Sequence, residues 1–285
     1  SRGLGDVYKR QVEALSKIFD NSDRKHDRHD AYCMLLRVLF AQGKLGEFEE
    51  PIAIGIEVLN SIIDFFPSEP TQEDLAKELK ETHRLLESTP NDLIMLKEDM
   101  QDRKKIAAMR ILTIMAFLTF QNSQELLAIV STRMVQLSLN FGLTKNSSLG
   151  FALCAAFSGA NGREEEARRL VRLALDLSSR YSDDRMTSSV LMVTYSFFLN
   201  FIEPAQACMS QLKNAYQLGM QSGAVNTGFS AACLYTCMSL QLGTPLITYV
   251  RETKILIIEM RNKRSHMEDH TNILLQVGLN LTEID

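Results

Sequence analysis

Turn-forming residues divide this chain at regular intervals of 40 or 41 residues. Turns inside the predicted helical hairpins lie near Asn122, Gly162, Glu203 and Thr244. Breaks between hairpins fall near Gly142, Ser182, Gly223 and Lys263. A hairpin of two helices cannot bury its apolar face alone, so hairpins repeated at such a period stack on one another into a superhelix. The period therefore predicts an all-α fold, an α-solenoid, and disfavours a compact bundle.

The apolar residues between these turns have helical spacing. One predicted stripe consists of Ala167, Leu170, Val171, Ala174 and Leu177, and another of Ala205, Cys208, Met209, Leu212, Ala215, Tyr216 and Gly219. Two segments, residues 106–120 and 190–202, are apolar on most sides but shorter than the roughly 20 residues of a membrane span. A helix of this kind is predicted to lie between neighbouring helices.

The third hairpin has the pattern of a tetratricopeptide unit. Its small residues Gly150, Ala152 and Ala155 allow two helix backbones to approach closely, and Gly162 forms the turn. A similar pattern begins at Tyr32 and turns at Gly43. Residues 67–100 do not fit the period. They predict one charged amphipathic helix over about 71–88, with Thr71 as its N-cap, followed by a turn at residues 90–92.

The sequence predicts four parts. Residues 1–11 resemble translated sequencing-adaptor sequence and are expected to be a non-native leader that takes no part in the fold. Residues 12–100 are expected to form a helical hairpin and the charged helix, and residues 101–262 four hairpin repeats. Residues 263–285 are expected to form the first helix of a further, truncated repeat.

Composition limits the compartment and the partners. The 31 basic and 35 acidic residues give a net charge of −4, so a nucleic-acid partner is not expected. Five scattered cysteines argue against a disulfide framework and for a reducing compartment. No segment has the pattern of a signal peptide. We expect a cytoplasmic location and no membrane partner.

Few residues suggest chemistry. Neither a phosphate-binding loop with a lysine nor a nucleophile elbow is found in the sequence. His266 and His270 have the i,i+4 spacing of metal ligands, but Met267 stands where a zinc protease has glutamate. His26 and His29 lie among aspartates without a fixed ligand spacing. Cys233 and Cys237 are expected to pack in the core, and the mixed charges of residues 97–105 to be solvated. No catalytic, cofactor-binding or metal-binding residue is predicted.

Several short segments carry a more specific pattern than the repeat alone. The early ones are residues 49–52, Gly55, Val58, Leu59, Phe66, Pro67, residues 100–102, Lys105 and residues 107–112. The sharpest is residues 133–143, followed by Ser148, Gly150, Phe151 and Ala152. The later ones are Ala215, Tyr216, Gly219, Ser222, Gly223, Gly243 and Leu246.

Together these segments resemble the tetratricopeptide-like helical region of very large signalling proteins, between an AAA-type or STAND-type ATPase module and C-terminal sensor domains. Members often begin with a protein-kinase-like domain and end in a histidine kinase or nucleotide cyclase. This chain departs from the pattern at residues 155–157, where a glycine is common, and at Phe201, near a position commonly occupied by tryptophan. The departures concern packing details.

The resemblance and the repeat favour a non-catalytic interaction and regulatory region of a larger signalling protein. Its solenoid surface is expected to bind protein partners or neighbouring ATPase or kinase domains, without a cofactor. One alternative is a self-contained tetratricopeptide-like adaptor. The other is a helical metal-dependent enzyme, which requires the two histidine pairs to converge with carboxylates.

Overall fold

A computed structural model describes residues 25–42, 48–63, 65–120 and 122–282. The expected leader, residues 1–11, and the early turn at Gly43 lie outside these ranges. Within them the fold is all-α, as predicted, apart from one isolated backbone bridge between Asp99 and Leu143. None of the helices in these ranges has both the length and the apolar character that crossing a membrane requires.

The chain divides into two compact units, Ser1–Gly150 and Phe151–Asp285. The helices described in the first unit are α1 (Lys25–Gln42), α2 (Glu49–Ile62), α3 (Gln72–Ser88), α4 (Asn91–Met95), α5 (Arg103–Thr119) and α6 (Gln124–Phe141). Helix α7 (Ser147–Ala160) begins in this unit and ends in the second. The second unit continues with α8 (Glu164–Tyr181), α9 (Asp184–Phe197), a short 3-10 helix (Leu199–Phe201), α10 (Ala205–Gln221), α11 (Val225–Gln241), α12 (Leu246–Lys263) and α13 (Met267–Thr282).

Several helices begin at a polar residue that accepts hydrogen bonds from the otherwise unpaired first amides. Thr71 caps α3 as predicted, and its backbone amide donates in return to the Asp74 carboxylate at 2.9 Å. Asp102 caps α5 and Asp183 caps α9 in the same way. The expected turn at residues 90–92 instead opens the short helix α4, because Pro90 has a backbone conformation suited to the position before a helix.

In the first unit, α5 forms the centre of the core. It packs against α1, α2 and α6, and its side chains Met109, Ile111, Leu112 and Met115 are fully buried. This confirms that the apolar segment 106–120 lies between other helices. The charged helix α3, which does not fit the period, packs against α6, where Arg133 forms an ion pair of 2.7 Å with Glu78.

In the second unit, each helix packs against the next one along the chain, from α8 to α13. Contacts also skip one helix, because α9 packs against α11 and α11 against α13. The second helices of the hairpins therefore lie against a continuous row of first helices. The predicted stripe of α8 is buried, for example at Leu170 and Leu177. In the predicted stripe of α10, Cys208, Leu212, Ala215 and Gly219 are buried, whereas Ala205, Met209 and Tyr216 are half-buried.

The backbone repeats at the predicted period. Ser182, Gly223 and Arg264 each end a second helix, and each has a positive φ, of 47°, 76° and 55°. These residues are spaced 41 apart in the sequence. The break expected near Lys263 therefore ends at Arg264, one residue later. The conformation, rather than the residue type, recurs at these positions.

We expect Ser182→Gly to raise the free energy of unfolding by about 0.5–1 kcal/mol. A left-handed conformation costs a non-glycine residue about 1–2 kcal/mol, part of which is offset by the extra chain entropy that glycine loses on folding. Ser179→Gly is the matched control, because Ser179 lies inside α8 and glycine there should cost up to about 1 kcal/mol. Urea unfolding monitored by circular dichroism tests this. Destabilisation by both changes would contradict the assigned turn.

Candidate functional site

An open groove of about 600 Å³ lies between α10 and α12 in the second unit. Both helices are second helices of their hairpins, and both pack against α11. The groove is lined by Tyr216, Gln217, Met220, Gln221, Glu259, Asn262 and Lys263. Its volume falls in the range of known ligand-binding pockets, about 300–1,000 Å³.

A hydrogen bond connects the two helices across this groove. The Tyr216 hydroxyl donates to the Glu259 carboxylate over 2.5 Å. Burial, together with this hydrogen bond and the negative charge of Glu259, raises the pKa of Tyr216 to about 12. Because the two residues lie on different hairpins, their hydrogen bond fixes the position of α10 relative to α12.

Beneath the groove lies an apolar cluster formed mainly by α11, α12 and α13. Its buried members are Phe229, Ala232, Cys233, Met260 and Met267. The groove residues Tyr216 and Met220 pack against this cluster, and the ring centre of Tyr216 lies 6.4 Å from that of Phe229. The groove therefore has an apolar base.

The upper rim of the groove is polar and exposed. Gln217 and Gln221 from α10 and Asn262 and Lys263 from α12 are all exposed. Three of these side chains are amides, each of which can donate and accept hydrogen bonds at once. Paired donors and acceptors of this kind match the backbone of a peptide, which presents both groups along its length.

The Tyr216 hydrogen bond has a measurable pH signature. We expect the phenol of Tyr216 to ionise with a pKa of about 12, against an ordinary value of 10.0, in a spectrophotometric titration. Since the pKa in the folded protein is raised, the contribution of Tyr216 to stability should be complete below about pH 10 and lost as the pH rises to about 12.

Tyr216→Phe serves as the matched variant for this titration. It should remove the phenol ionisation near pH 12 and flatten the pH dependence of the unfolding free energy above pH 10. If the ionisation that Tyr216→Phe removes lies near the ordinary value of 10.0 rather than near 12, the geometry of the groove is contradicted.

The two histidine pairs considered as metal ligands belong to different units of the chain. His266 lies directly before α13 and His270 in its first turn. Burial and the charge of His270 lower the pKa of His266. The Nε2 atom of His270 is buried without a hydrogen-bond partner. His29 belongs to the first unit, and the side chain of His26 lies outside the described part. In the described residues no group of three or more His, Cys, Asp or Glu side chains is placed to hold a metal ion.

The structure places the other residues considered as follows. Cys233 is buried in the apolar cluster as predicted, and burial raises the pKa of its thiol, whereas Cys237 is only half-buried. In the charged run 97–105, residues 101–104 are exposed. Sequence reasoning missed the groove because it assigned Tyr216 to an apolar stripe and gave no role to Glu259.

Comparisons with known proteins give no assignment. No protein-family model, no curated protein and no solved structure matches this chain. The resemblance to the helical region of signalling ATPases therefore rests on the sequence segments alone, and the groove rests on its own geometry.

Proposed function

We propose that this chain is a non-catalytic helical-repeat region of a larger, cytoplasmic signalling protein, and that it binds a protein partner or a neighbouring domain through the surface of its hairpins. The resemblance of residues 133–143 and the related segments to the helical regions of signalling ATPases supports the parent class. Binding along a repeat surface also suits stacked hairpins, which present extended faces to partners.

The α10–α12 groove carries this proposal. It combines an apolar base, three exposed amides and the Tyr216–Glu259 hydrogen bond that holds its two walls in place. A linear peptide segment fits these features, because its backbone can pair with the amides while an apolar side chain contacts Met220 and Tyr216. The groove is therefore the proposed contact point for an unfolded segment of the partner.

Selection from a displayed library of linear peptides tests the proposal directly. Peptides enriched on the wild-type chain are expected to bind with micromolar affinity, about −8 kcal/mol, as measured by calorimetry. Asn262→Trp fills the groove from its exposed rim and should weaken binding at least about tenfold.

The matched control is Arg172→Trp, an equally exposed position on α8 that does not line the groove. It should leave peptide affinity unchanged. The proposal fails if no peptide is enriched, and the groove is the wrong site if Asn262→Trp binds as tightly as the wild type.

A further inference from the structure

The last described helix, α13, exposes an apolar stripe. Ile273, Val277 and Leu281 are spaced four residues apart, so they lie on one face of the helix. Their exposed fractions are 65%, 40% and 45%. The adjacent face of α13 packs against α12, where Tyr249 donates a hydrogen bond of 2.9 Å to the Leu274 carbonyl and its ring contacts Gly278.

The 41-residue register identifies the equivalent residues in the preceding hairpin. Ile273 corresponds to Ala232 of α11, and Val277 corresponds to Thr236. Both equivalents are only 2% exposed. Leu240, the equivalent of Leu281, is half-buried. The face that is exposed on α13 is therefore more buried on α11.

Side chains of several helices meet near Ala232 of α11, with Tyr216 and Met220 of α10 packed against the same cluster. Ala232 belongs to the apolar cluster that also contains Met260 of α12 and Met267 of α13. Helix α12 follows α11 directly in the chain, and it contributes a buried stripe of Tyr249, Thr253, Ile257 and Met260. In the second unit, α10 and α12 likewise follow and pack against the first helices α9 and α11.

We propose that the α13 stripe is a docking site for one further amphipathic helix, which packs against α13 as α12 packs against α11. The continuity of the array assigns this helix to the same chain, as the second helix of the hairpin that α13 begins. By the same register, its apolar residues recur at i, i+4, i+8 and i+11, the spacing of the buried stripe of α12. This inference concerns the array itself and is independent of peptide binding in the α10–α12 groove.

A selection for protease resistance tests the proposal on the full chain. Randomised segments of the length of residues 242–263 are appended after Asp285, and displayed chains that resist proteolysis are enriched. The enriched segments are expected to carry apolar residues at helical spacing. The melting temperature of a purified extended chain should lie about 2–4 °C above that of the unextended chain, because packing of the added helix stabilises the folded state.

The matched background is the triple variant Ile273→Ser, Val277→Ser, Leu281→Ser, whose folding is expected to be unaffected because the three residues are exposed. When the same library is appended to this variant, the enriched segments should show no preference for apolar residues at helical spacing. Enrichment without a helical pattern, or the same pattern in both backgrounds, would overturn the proposal.

A stable dimer of the unextended wild type that becomes monomeric in the triple variant would also overturn it, because it would assign the stripe to a second copy of the chain. Light scattering after size-exclusion chromatography distinguishes the two oligomeric states. Loss of peptide binding in the groove would leave this result untouched, so the two proposals can fail separately.

Discussion

Phe229→Ala should lower the free energy of unfolding by about 3–5 kcal/mol. Phe229 is fully buried at the centre of the cluster that joins α11 to α12 and α13. Removing its ring leaves a cavity among residues from three helices, which cannot all move inward at once. The loss is measured by urea unfolding monitored by circular dichroism.

Phe201→Ala is the control for the loss of an aromatic ring. Phe201 lies in the same unit and is 78% exposed, so its truncation should change stability by no more than about 0.5 kcal/mol. A similar small effect for Phe229→Ala would mean that the three helices do not meet at this residue.

Gly219→Val is the second large effect, with an expected loss of about 3 kcal/mol. A Cβ atom at Gly219 would lie 2.7 Å from the backbone of Gly228, so α10 and α11 pack too closely for a side chain at Gly219. Backbone atoms cannot rotate away as a side chain can. The helices must separate. The new Cβ atom would also lie 2.9 Å from the Ser188 hydroxyl of α9, which donates a hydrogen bond to the Ala215 carbonyl.

Asn214→Val introduces the same side chain at an exposed position of α10. It tests the cost of a β-branched residue in this helix without a packing conflict, and it should lower stability by no more than about 0.5 kcal/mol. Equal effects of the two valine substitutions would contradict the close approach of α10 and α11.

The sequence predicts the repeat well because turns are encoded locally. Glycine and polar residues at the breaks interrupt the apolar stripes, and the 40–41-residue period gives the boundaries of the helices between 103 and 263. Ser182 and Arg264 show the limit of this reasoning. Neither residue type indicates a left-handed conformation, and only their spacing from Gly223 does.

Contacts between distant segments could not be predicted from one sequence. Tyr216 and Glu259 lie 43 residues apart, and no local pattern pairs a tyrosine in an apolar stripe with a glutamate on another helix. The packing of α3 against α6 was missed for the same reason, since the Gln136 amide donates to the Glu78 carboxylate across 58 residues.

The burial of individual faces also depends on the neighbouring helices. The sequence predicts that α13 begins a further hairpin, and its apolar residues look alike in the sequence. Only the structure separates the buried residues Met267 and Thr271 from the exposed stripe of Ile273, Val277 and Leu281. The close contact between Gly219 and Gly228 could not be predicted from the sequence either, because a single glycine within a helix indicates only a lower helix propensity.

Nuclear Overhauser effects in protein labelled at the methionine methyl groups test the stacking of successive hairpins most directly. Phe229 belongs to α11, Met260 to α12 and Met267 to α13, and the three side chains share one cluster. If the hairpins are stacked, the Phe229 ring should give cross-peaks to both methyl groups, and each cross-peak should be lost in Phe229→Ala. Cross-peaks to neither methyl group in the folded wild type would contradict the stacked arrangement on which the groove and the α13 docking face depend.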